Sequence, residues 1–528
     1  MNHKAHLWYY QVSNRTEDSV FEEKLDPLLG SSADPVAAGW QLRQLAESVE
    51  GQGAVLVEEI AGQSDLVSAS DPAILGGILR VVHTVVLQAG PEVVSKVDPD
   101  HLQKILEVLP SKTTNRFLLL QLLAMNRGDE ALGKLVFLLE EMPPKQWMEA
   151  AQVLSPLMQH SDWSIGVVYP ALLDSLQHAS LASPVLDLAN YLYRTGRAEV
   201  HPASDRLPML NHLLGEVSGR LSLFEENPRA FGDDVETVQA TLGEAVALAV
   251  SLCDTVGLIG DETSIGKLNQ TIGLRHRRVQ CEAAGALAKL GDDDGKKRLL
   301  ALTEEPAARL RAIHYADEIG IGEQVKDDDR GEKATAEAEM ALWLTQPQQM
   351  GVPPTSVEVI DQRRLLWPSY TDPVDVYLVR FEYSMGERTY SNVGMTGPVC
   401  FAMSTDVANL PVDDIYAIYA GWHAEHDEIF TVAADQFNDA QQRAMDTFSK
   451  HLEHLGYRSM KPLMLGIFLD EQAGLFTAVR ETTECVVITD NLETIDRPIS
   501  GRLRPLSADD LFNLYKGKKM LRTFNSQS

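Results

Sequence analysis

Two segments of the chain share the pattern His-x-Glu-His, whose residue types and spacing suit metal chemistry. The first contains His423 and His426, and the second contains His451 and His454. Imidazoles three residues apart share one face of a helix, and a carboxylate is a usual hydrogen-bond partner of a metal-bound imidazole. If two such helices faced each other, four imidazoles would meet at one ion, and metal-dependent hydrolysis would be the corresponding activity.

A structural role explains the same histidines. His426 continues an apolar helical stripe that runs from Ile415 to Ile429. His451 and His454 fall in the last turn of a predicted helix, where imidazole interacts favourably with the negative end of the helix dipole. We therefore predict that the protein binds no transition metal, and we keep the four histidines as the candidate ligands.

The known phosphate-binding loops are absent. Gly51-Gln52-Gly53 lacks the third glycine of a dinucleotide fingerprint, because Leu56 stands in its place. Gly266-Lys267 is followed by Leu268, where a P-loop needs Ser or Thr to hold magnesium. No nucleophile elbow or zinc-protease helix motif occurs either. The sequence therefore predicts no cofactor, and it leaves catalytic residues unassigned.

Two further groups of residues have both a functional and a structural interpretation. Tyr390 to Pro398 is polar and glycine-rich, which suits a ligand-binding loop, but an ordinary bend between strands needs the same residues. Tyr416, Tyr419 and Trp422 resemble an aromatic platform, but aromatic residues at helical spacing usually belong to a core. We predict the structural role for both groups.

Overall charge restricts the partners. Lys and Arg total 46 against 76 Asp and Glu, which gives a formal net charge of −30 over 528 residues. Nucleic acids and anionic membranes would be repelled, so we expect neither as a partner. The exception is a basic group near the C-terminus, which we interpret as a solvated tail: Lys516, Lys518, Lys519 and Arg522.

The cellular location is predicted from the cysteines and from hydrophobic runs. The four cysteines are widely spaced and form no Cys-x-x-Cys pair, which indicates thiols in a reducing compartment. The N-terminal residues show no signal-peptide pattern, and no uninterrupted apolar run reaches the roughly 18 residues of a membrane-spanning helix. We expect a cytoplasmic protein without a membrane span.

Most of the chain has the periodicity of packed helices. Leu75, Leu79, Val82 and Val86 are spaced by three and four residues, as on one helical face. Turn signals separate such segments at short intervals, which makes successive helices antiparallel neighbours. We predict an all-α region from residue 34 to residue 345.

Similar helices recur within this region. The pairs Leu119-Leu120, Val153-Leu154 and Val185-Leu186 occupy equivalent positions in three of them. The clearest copies are Arg278–Asp292 and Arg309–Gly320, rich in Ala and Gly that permit close helix packing. These segments resemble HEAT repeats, in particular the short repeats also found in phycobilisome lyases. The resemblance implies a helical solenoid with an extended surface for binding protein.

The composition changes after residue 345. Residues 346–356 contain three prolines and no periodicity, which is typical of a linker. Strand patterns follow, for example in Val376–Tyr383, and helical and strand patterns then alternate. We predict an N-terminal extension (1–33), a HEAT-like solenoid (34–345), a linker (346–356) and an α+β domain with a mainly antiparallel sheet (357–528).

Two functions are compatible with these predictions. The first is a scaffold or adaptor whose solenoid binds a protein partner, with the α+β domain in an unassigned role. The alternative is an enzyme whose active site lies in the α+β domain and whose solenoid recruits the substrate. The paired His-x-Glu-His segments favour the enzyme, whereas the missing nucleophile, phosphate and cysteine motifs favour the scaffold.

The predicted phase of the repeats can be tested by the substitution Ala284→Glu. It would place a larger, charged side chain in a close helix–helix seam, so we expect the free energy of unfolding to fall by at least about 3 kcal/mol. Denaturant unfolding measures the change. A loss no larger than that of the same substitution at a surface alanine would show that the phase is wrong.

Overall fold

The computed structural model describes residues 23–29, 35–232, 234–346, 349–385, 388–425, 428–499 and 505–525. The chain divides into two compact units, residues 1–296 and residues 297–528, and each is described by itself. Most of the predicted N-terminal extension lies outside the described residues.

The first unit is helical throughout its described residues. Its helices are α1 Pro35–Ser48, α2 Gly53–Gly62, α3 Ser64–Ala69, α4 Pro72–Gln88, α5 Pro91–Val94, α6 Pro99–Val108, α7 Phe117–Asn126, α8 Asp129–Glu141, α9 Trp147–Gln159, α10 Ile165–Val168, α11 Ala179–Arg194, α12 Leu207–Glu226, α13 Val235–Ile259, α14 Ile265–Thr271 and α15 Arg277–Lys289. A 3-10 turn at Ala171–Gln177 precedes α11. The division between the units falls within the next helix, α16 Asp293–Leu302.

Alternate long helices of this unit contact one another and so form one row. The row runs α1, α4, α7, α9, α11, α13 and α15. Leu119, Val153 and Val185, the residues that recur in the sequence, are fully buried in α7, α9 and α11. The helices between them lie outside the row, where α6 contacts α8 and α12 contacts α14. Sequence recurrence therefore identified successive members of one row.

Small residues allow the last two helices of the row to approach closely. A Cβ atom added to Gly257 in α13 would lie 2.9 Å from the Cα atom of Ala286 in α15, which is closer than real Cβ contacts. Ala284 has no exposed surface. Gly291 ends α15 with a φ angle of 86°, as predicted, because glycine adopts the left-handed conformation without strain.

One helix in the described residues is long and apolar enough to cross a membrane, judged by length and composition only. It spans Glu236–Ile259 within α13, and 61% of its most apolar window is buried inside the unit. The sequence prediction missed it because Glu244 and Asp254 interrupt its apolar run. Such burial is typical of a core helix, which meets the same two criteria.

The second unit combines helices with two antiparallel sheets. Its helices are α17 Pro306–Glu318, α18 Asp327–Arg330, α19 Glu332–Leu344, α20 Val412–His423, α21 Asp439–His454 and α22 Ala508–Phe524. Sheet A comprises β1 Ser356–Leu365, β2 Val374–Met385, β3 Arg388–Thr396 and β4 Phe401–Ala402, in that order. Sheet B comprises β5 Ile429–Ala433, β6 Tyr457–Phe468, β7 Glu471–Arg480, β8 Thr483–Thr489 and β9 Thr494–Pro498, in that order.

Sheet A lies between two helices. Tyr377 and Val379 of β2 pack against Met340 of α19 on one face. Val376 and Leu378 point to the other face, where they join the core formed by α20. The alternation follows from the two-residue period of a strand. The alternating pattern predicted for Val376–Tyr383 is therefore confirmed.

Sheet B also has a helix on each face. Leu475 and Ile488 belong to the core that contains α20 and α22. Phe476 and Val487 face the opposite way and pack against Phe448 of α21. The second unit is therefore layered as α19, sheet A, the pair α20 and α22, sheet B, and α21.

The helices α20 and α22 carry the same sequence motif, Asp-Asp-Ile-Tyr-Ala-Ile-Tyr-Ala-Gly at 413–421 and Asp-Asp-Leu-Phe-Asn-Leu-Tyr-Lys-Gly at 509–517. A Cβ atom on Gly421 would overlap the backbone oxygen of Asn513, and one on Gly517 would overlap that of Ala417. Because Ala417 and Asn513 are equivalent positions in the motif, the two contacts are reciprocal. Each helix also follows an antiparallel meander, so the two halves of the unit repeat one arrangement.

The observed division of the chain lies earlier than the predicted boundary at residue 345. Ala336, Met340 and Leu344 of α19 are buried against sheet A, so this helix completes the sheet's core and belongs to the second unit. The predicted linker lies inside that unit as well. The prediction of a mainly antiparallel sheet is refined to two antiparallel sheets.

The reciprocal glycine contact gives a second test. Gly421→Ala and Gly517→Ala should each lower the free energy of unfolding by about 1–3 kcal/mol, because the added methyl group meets rigid backbone. Gly243→Ala in α13 is the matched control, since nothing lies within 4 Å of a Cβ atom there. We expect the control to be neutral or stabilising by about 0.5–1 kcal/mol. Calorimetry distinguishes the two outcomes, and equal effects at Gly421 and Gly243 would contradict the close crossing.

Candidate functional site

Two histidines of the His-x-Glu-His segments make structural contacts. The Nδ1 atom of His423, at the end of α20, accepts a hydrogen bond from the indole Nε1 of Trp367 at 2.9 Å. His454, in the last turn of α21, has Nδ1 at 2.6 Å from the backbone oxygen of Lys450. His451 lies in the same turn, as predicted. His426 lies outside the described residues.

Sheet B prevents the two segments from facing each other. The α20 helix belongs to the core on one face of this sheet, whereas α21 packs on the other face. The hypothetical four-histidine site required these helices to be direct neighbours, and that requirement is not met. Within the ranges that the structure describes, no group of three or more His, Cys, Asp or Glu residues is placed to hold a metal ion.

The structure also places the glycine-rich segment and the group of aromatic residues that the sequence singled out. Tyr390 to Pro398 is not a bend over most of its length, because β3 extends through Thr396. The polarity that suggested a loop includes Asn392, a fully buried residue that donates hydrogen bonds to the backbone oxygens of Met403 and Thr405. Tyr416 and Tyr419 are buried in the core of the second unit, as predicted, whereas Trp422 is 39% exposed.

The most extensive polar arrangement in the first unit lies between α11 and α13. Polar residues of α11 recur every three or four positions and so occupy one stripe: Ser183, Asp187, Asn190 and Arg194. They face a second polar stripe on α13, formed by Ser251, Asp254 and Thr255. We call these seven residues the polar seam.

Hydrogen bonds link the two stripes of the seam. Ser251 donates to a carboxylate oxygen of Asp187 at 2.6 Å, and its hydroxyl oxygen lies 2.8 Å from that of Ser183. Thr255 donates to the amide oxygen of Asn190 at 2.9 Å. At the end of α11, Arg194 forms a two-pronged ion pair with Asp254. Two adjacent helices of the row are thus joined by polar contacts as well as by apolar packing.

The seam perturbs two titratable groups. Asp187 reaches solvent, but the surrounding helices partly desolvate its carboxylate and so raise its pKa to about 6. The negative charge of Asp254 adds to the effect, although Ser251 and Arg278 oppose it. Burial also lowers the pKa of His201 to about 4. The neutral imidazole donates from Nε2 to the amide oxygen of Asn190, since its Nδ1 accepts the backbone N–H of Ala203. At neutral pH, His201 is therefore uncharged.

Polar contacts also join earlier helices of the row. His83 of α4 lies 2.8 Å from the amide oxygen of Gln121 in α7. The amide nitrogen of Gln121 donates to the backbone oxygen of Gln152 in α9 at 2.9 Å. Gln152, Asp187, Arg194 and Arg278 are exposed. The row therefore presents solvent-accessible polar groups on α9, α11 and α15.

This arrangement is suited to binding rather than to nucleophilic catalysis. The hydroxyl groups closest to Asp187 belong to Ser183 and Ser251, which are only 1% and 2% exposed. A substrate would have to reach such a hydroxyl within hydrogen-bond distance of the base. The exposed amide, carboxylate and guanidinium groups can instead exchange hydrogen bonds with a partner's surface.

Sequence reasoning missed two features that a sequence signal could have revealed. The stripe in α11 has helical spacing that marks one polar face. The basic group at Lys516–Arg522 was wrongly interpreted as a solvated tail, because it lies in α22, where Lys519 pairs with Asp490 at 2.8 Å and Arg522 pairs with Glu493 at 2.6 Å. The motif shared with α20 was the available sign of a second core helix.

Comparison with known proteins adds no assignment. No protein-family model matches the chain, and no curated protein matches it. The functional argument therefore rests on the fold and on the contacts described above.

The perturbed carboxylate gives a pH-dependent prediction. The pKa of Asp187 is higher in the folded state than the ordinary 3.8, so the folded state binds more protons and its stability falls as pH rises from about 4 to about 6. Asp187→Asn should therefore stabilise the protein at pH 7.5 but not at pH 4. Because Asp187 contacts solvent, which screens the charge, we expect a gain of at most about 1 kcal/mol.

Denaturant unfolding at the two pH values measures this effect. Glu58→Gln, which removes an exposed carboxylate from α2, is the control and should show no pH-dependent difference. A destabilised Asp187→Asn variant at pH 7.5 would mean that the ionised carboxylate is favoured in the seam.

Proposed function

We propose that this protein is a non-enzymatic scaffold whose first unit is a HEAT-like helical solenoid that binds a protein partner. The observation that carries the proposal is the row of alternate helices α1, α4, α7, α9, α11, α13 and α15, in which each contacts the next. Such a row buries apolar surface between neighbours and leaves one continuous side available to a partner.

The partner's contact surface is proposed to be the exposed polar side of the row. Gln152, Asp187 and Arg278 come from three different helices and are accessible to solvent. Asp187 already accepts a hydrogen bond from Ser251, so little of its side-chain freedom is lost when a partner binds. The alternation of amide, acidic and basic groups favours a polar protein surface over an apolar one.

The charge of the chain supports a partner with basic patches. A net charge of −30 attracts positively charged protein surfaces and accelerates their association, and this attraction weakens as salt is added. Three cysteines are buried and form no disulfide, which supports a proposed location in the reducing cytoplasm: Cys253, Cys281 and Cys485. The second unit is proposed to add a further contact or a regulatory module.

The alternative of a metal-dependent hydrolase is not proposed. It depended on the convergence of the two His-x-Glu-His segments, and sheet B lies between the helices that carry His423 and His451. No other arrangement in the described residues favours hydrolysis.

Site-specific photo-crosslinking in the native cells tests the scaffold proposal. A photoreactive residue at Gln152 or Arg278 should capture the same discrete protein, because both positions lie on the row. Glu141 of α8 and His212 of α12 are the control positions, since they are exposed on helices outside the row. The captured protein, once purified, should bind the intact chain more weakly at 500 mM salt than at 50 mM.

Three results would contradict the proposal. Crosslinks to the same proteins from Glu141 and from Arg278 would show that the row is not the contact surface. The absence of a discrete product from both Gln152 and Arg278 would have the same meaning. Unchanged binding of the purified partner by an Arg278→Glu variant that folds normally would remove the assigned contact.

A further inference from the structure

A cavity of about 480 Å³ opens beside the crossing of α20 and α22 in the second unit. Its size is within the range of small-molecule sites. Part of its lining is apolar and part is charged. The apolar part includes Leu365 of β1, Tyr416 of α20 and Leu521 of α22. The charged part consists of three cations and three carboxylates: Arg363, Lys518, Arg522, Asp413, Asp414 and Glu493.

The first cation, Arg363, is held in a fixed orientation. Its Nε donates to Asp361 at 2.9 Å and its Nη1 donates to Asp413 at 2.8 Å. The guanidinium carbon lies 4.6 Å from the centre of the Tyr416 ring, within the range of a cation–π contact. Asp413 is 79% exposed, so this outer ion pair is screened by water and weak.

The other two cations come from α22. The ammonium of Lys518 lies 2.6 Å from the buried carboxylate of Asp414, to which Arg497 also donates. Arg522 donates through Nη2 to Glu493 at 2.6 Å and through Nε to the backbone oxygen of Lys518. In the part of the chain that the structure describes, no acceptor takes the Nη1 donors of Arg522 or the Nη2 donors of Arg363.

The charge of Lys518 is unfavourable where it lies at the cavity. Burial penalises the ammonium and lowers its pKa, and the positive charges of Arg497 and Arg522 lower it further, whereas the negative charges of Glu493 and Asp413 oppose the shift only in part. An anion close to Lys518 would relieve both effects, because an opposite charge favours the protonated form.

The repeated motif shows that the cavity is not required by the fold. Trp422 occupies the position in α20 that Lys518 occupies in α22. Its ring stacks on Phe401 of β4 with centroids 3.9 Å apart and an interplanar angle of 7°. One half of the unit therefore carries an aromatic stack at this position, whereas the other half carries cations beside an open cavity.

We propose that this cavity binds a small molecule that carries a phosphate or carboxylate group. The oxyanion accepts hydrogen bonds from Arg363, Lys518 and Arg522, which are charge-assisted and therefore strong. The apolar part of the ligand rests against Leu365 and Leu521. We propose a small molecule because a cavity of this volume holds one anionic group and a short apolar body.

Each of the three cations already pairs with a carboxylate in the free protein, Lys518 with the buried Asp414 and the other two with more accessible groups. Asp413 pairs with Arg363, and Glu493 pairs with Arg522. Both must give up their partner, wholly or in part, when the ligand's oxyanion binds. Removal of the charge on Glu493 should therefore strengthen binding, whereas removal of the charge on Arg522 should weaken it. If the pair of Glu493 and Arg522 only maintained the structure, both variants would bind the ligand more weakly.

Isothermal titration of the full chain with phenyl phosphate and with benzoate tests the proposal. We expect one site per chain, and the stronger of the two probes identifies the anionic group. Arg522→Gln should weaken binding about tenfold, the loss expected for one charge-assisted hydrogen bond. Glu493→Gln should tighten it. Arg458→Gln, which removes an exposed cation of β6 outside the cavity, should leave it unchanged.

The thermal unfolding midpoint of each variant without ligand confirms that it is folded. The proposal would be overturned if sodium chloride at the same ionic strength produced the same heat as the probes. It would also be overturned if Arg522→Gln and Arg458→Gln lost the same affinity, or if Glu493→Gln bound the probes more weakly. Failure of both probes to bind would do the same. None of these results affects the scaffold proposal, which rests on the first unit alone.

Discussion

The helices α20 and α22 pack so closely that a glycine of each helix contacts the backbone of the other. The second unit is arranged around this contact. Gly421 and Gly517 leave no room for a side chain, so a helix from each half can pack along the other at short distance. One side of the pair is covered by sheet A and the other by sheet B. Each sheet then needs a further helix on its outer face, which α19 and α21 provide. The order of layers therefore follows from one close crossing and from the need to cover both faces of each sheet.

The carboxylates at this crossing are paired with cations, although the chain as a whole is acidic. Asp414 is 4% exposed and accepts from both Arg497 and Lys518. Burial disfavours the ionised form of Asp490, but hydrogen bonds from Lys519, Tyr515 and backbone N–H groups outweigh this and lower its pKa to about 2. Buried carboxylates require such partners, because an uncompensated charge in a core costs several kcal/mol. The cations of α22 are thus part of the core's electrostatics, and two of them, Lys518 and Arg522, also line the proposed anion site.

The first unit meets a different requirement, since no helix of the row can bury its apolar face alone. Adjacent helices supply that cover, and polar residues complete the contact where the helices meet solvent. The seam between α11 and α13 satisfies buried groups such as Asn190 and Thr255, while Asp187 retains an unfavourable charge at neutral pH. The same polar contacts that join the helices also leave amide and charged groups exposed on one side of the row. Stability of the row and its proposed use as a binding surface therefore depend on the same residues.

Local sequence patterns were enough to predict the helical character of the first unit, the recurrence of its helices, and the strands β2, β6, β7 and β8. These features depend on local periodicity and on turn residues, which any fold must respect. The sequence did not determine that α19 belongs with sheet A, because its acidic segment resembles a solvated helix until Met340 and Leu344 are seen beneath β2. Nor did it place the His-x-Glu-His segments on opposite faces of sheet B, or Lys518 beside Asp414. Such relations join residues far apart in the chain, and only the packing of complete layers decides which of them become neighbours.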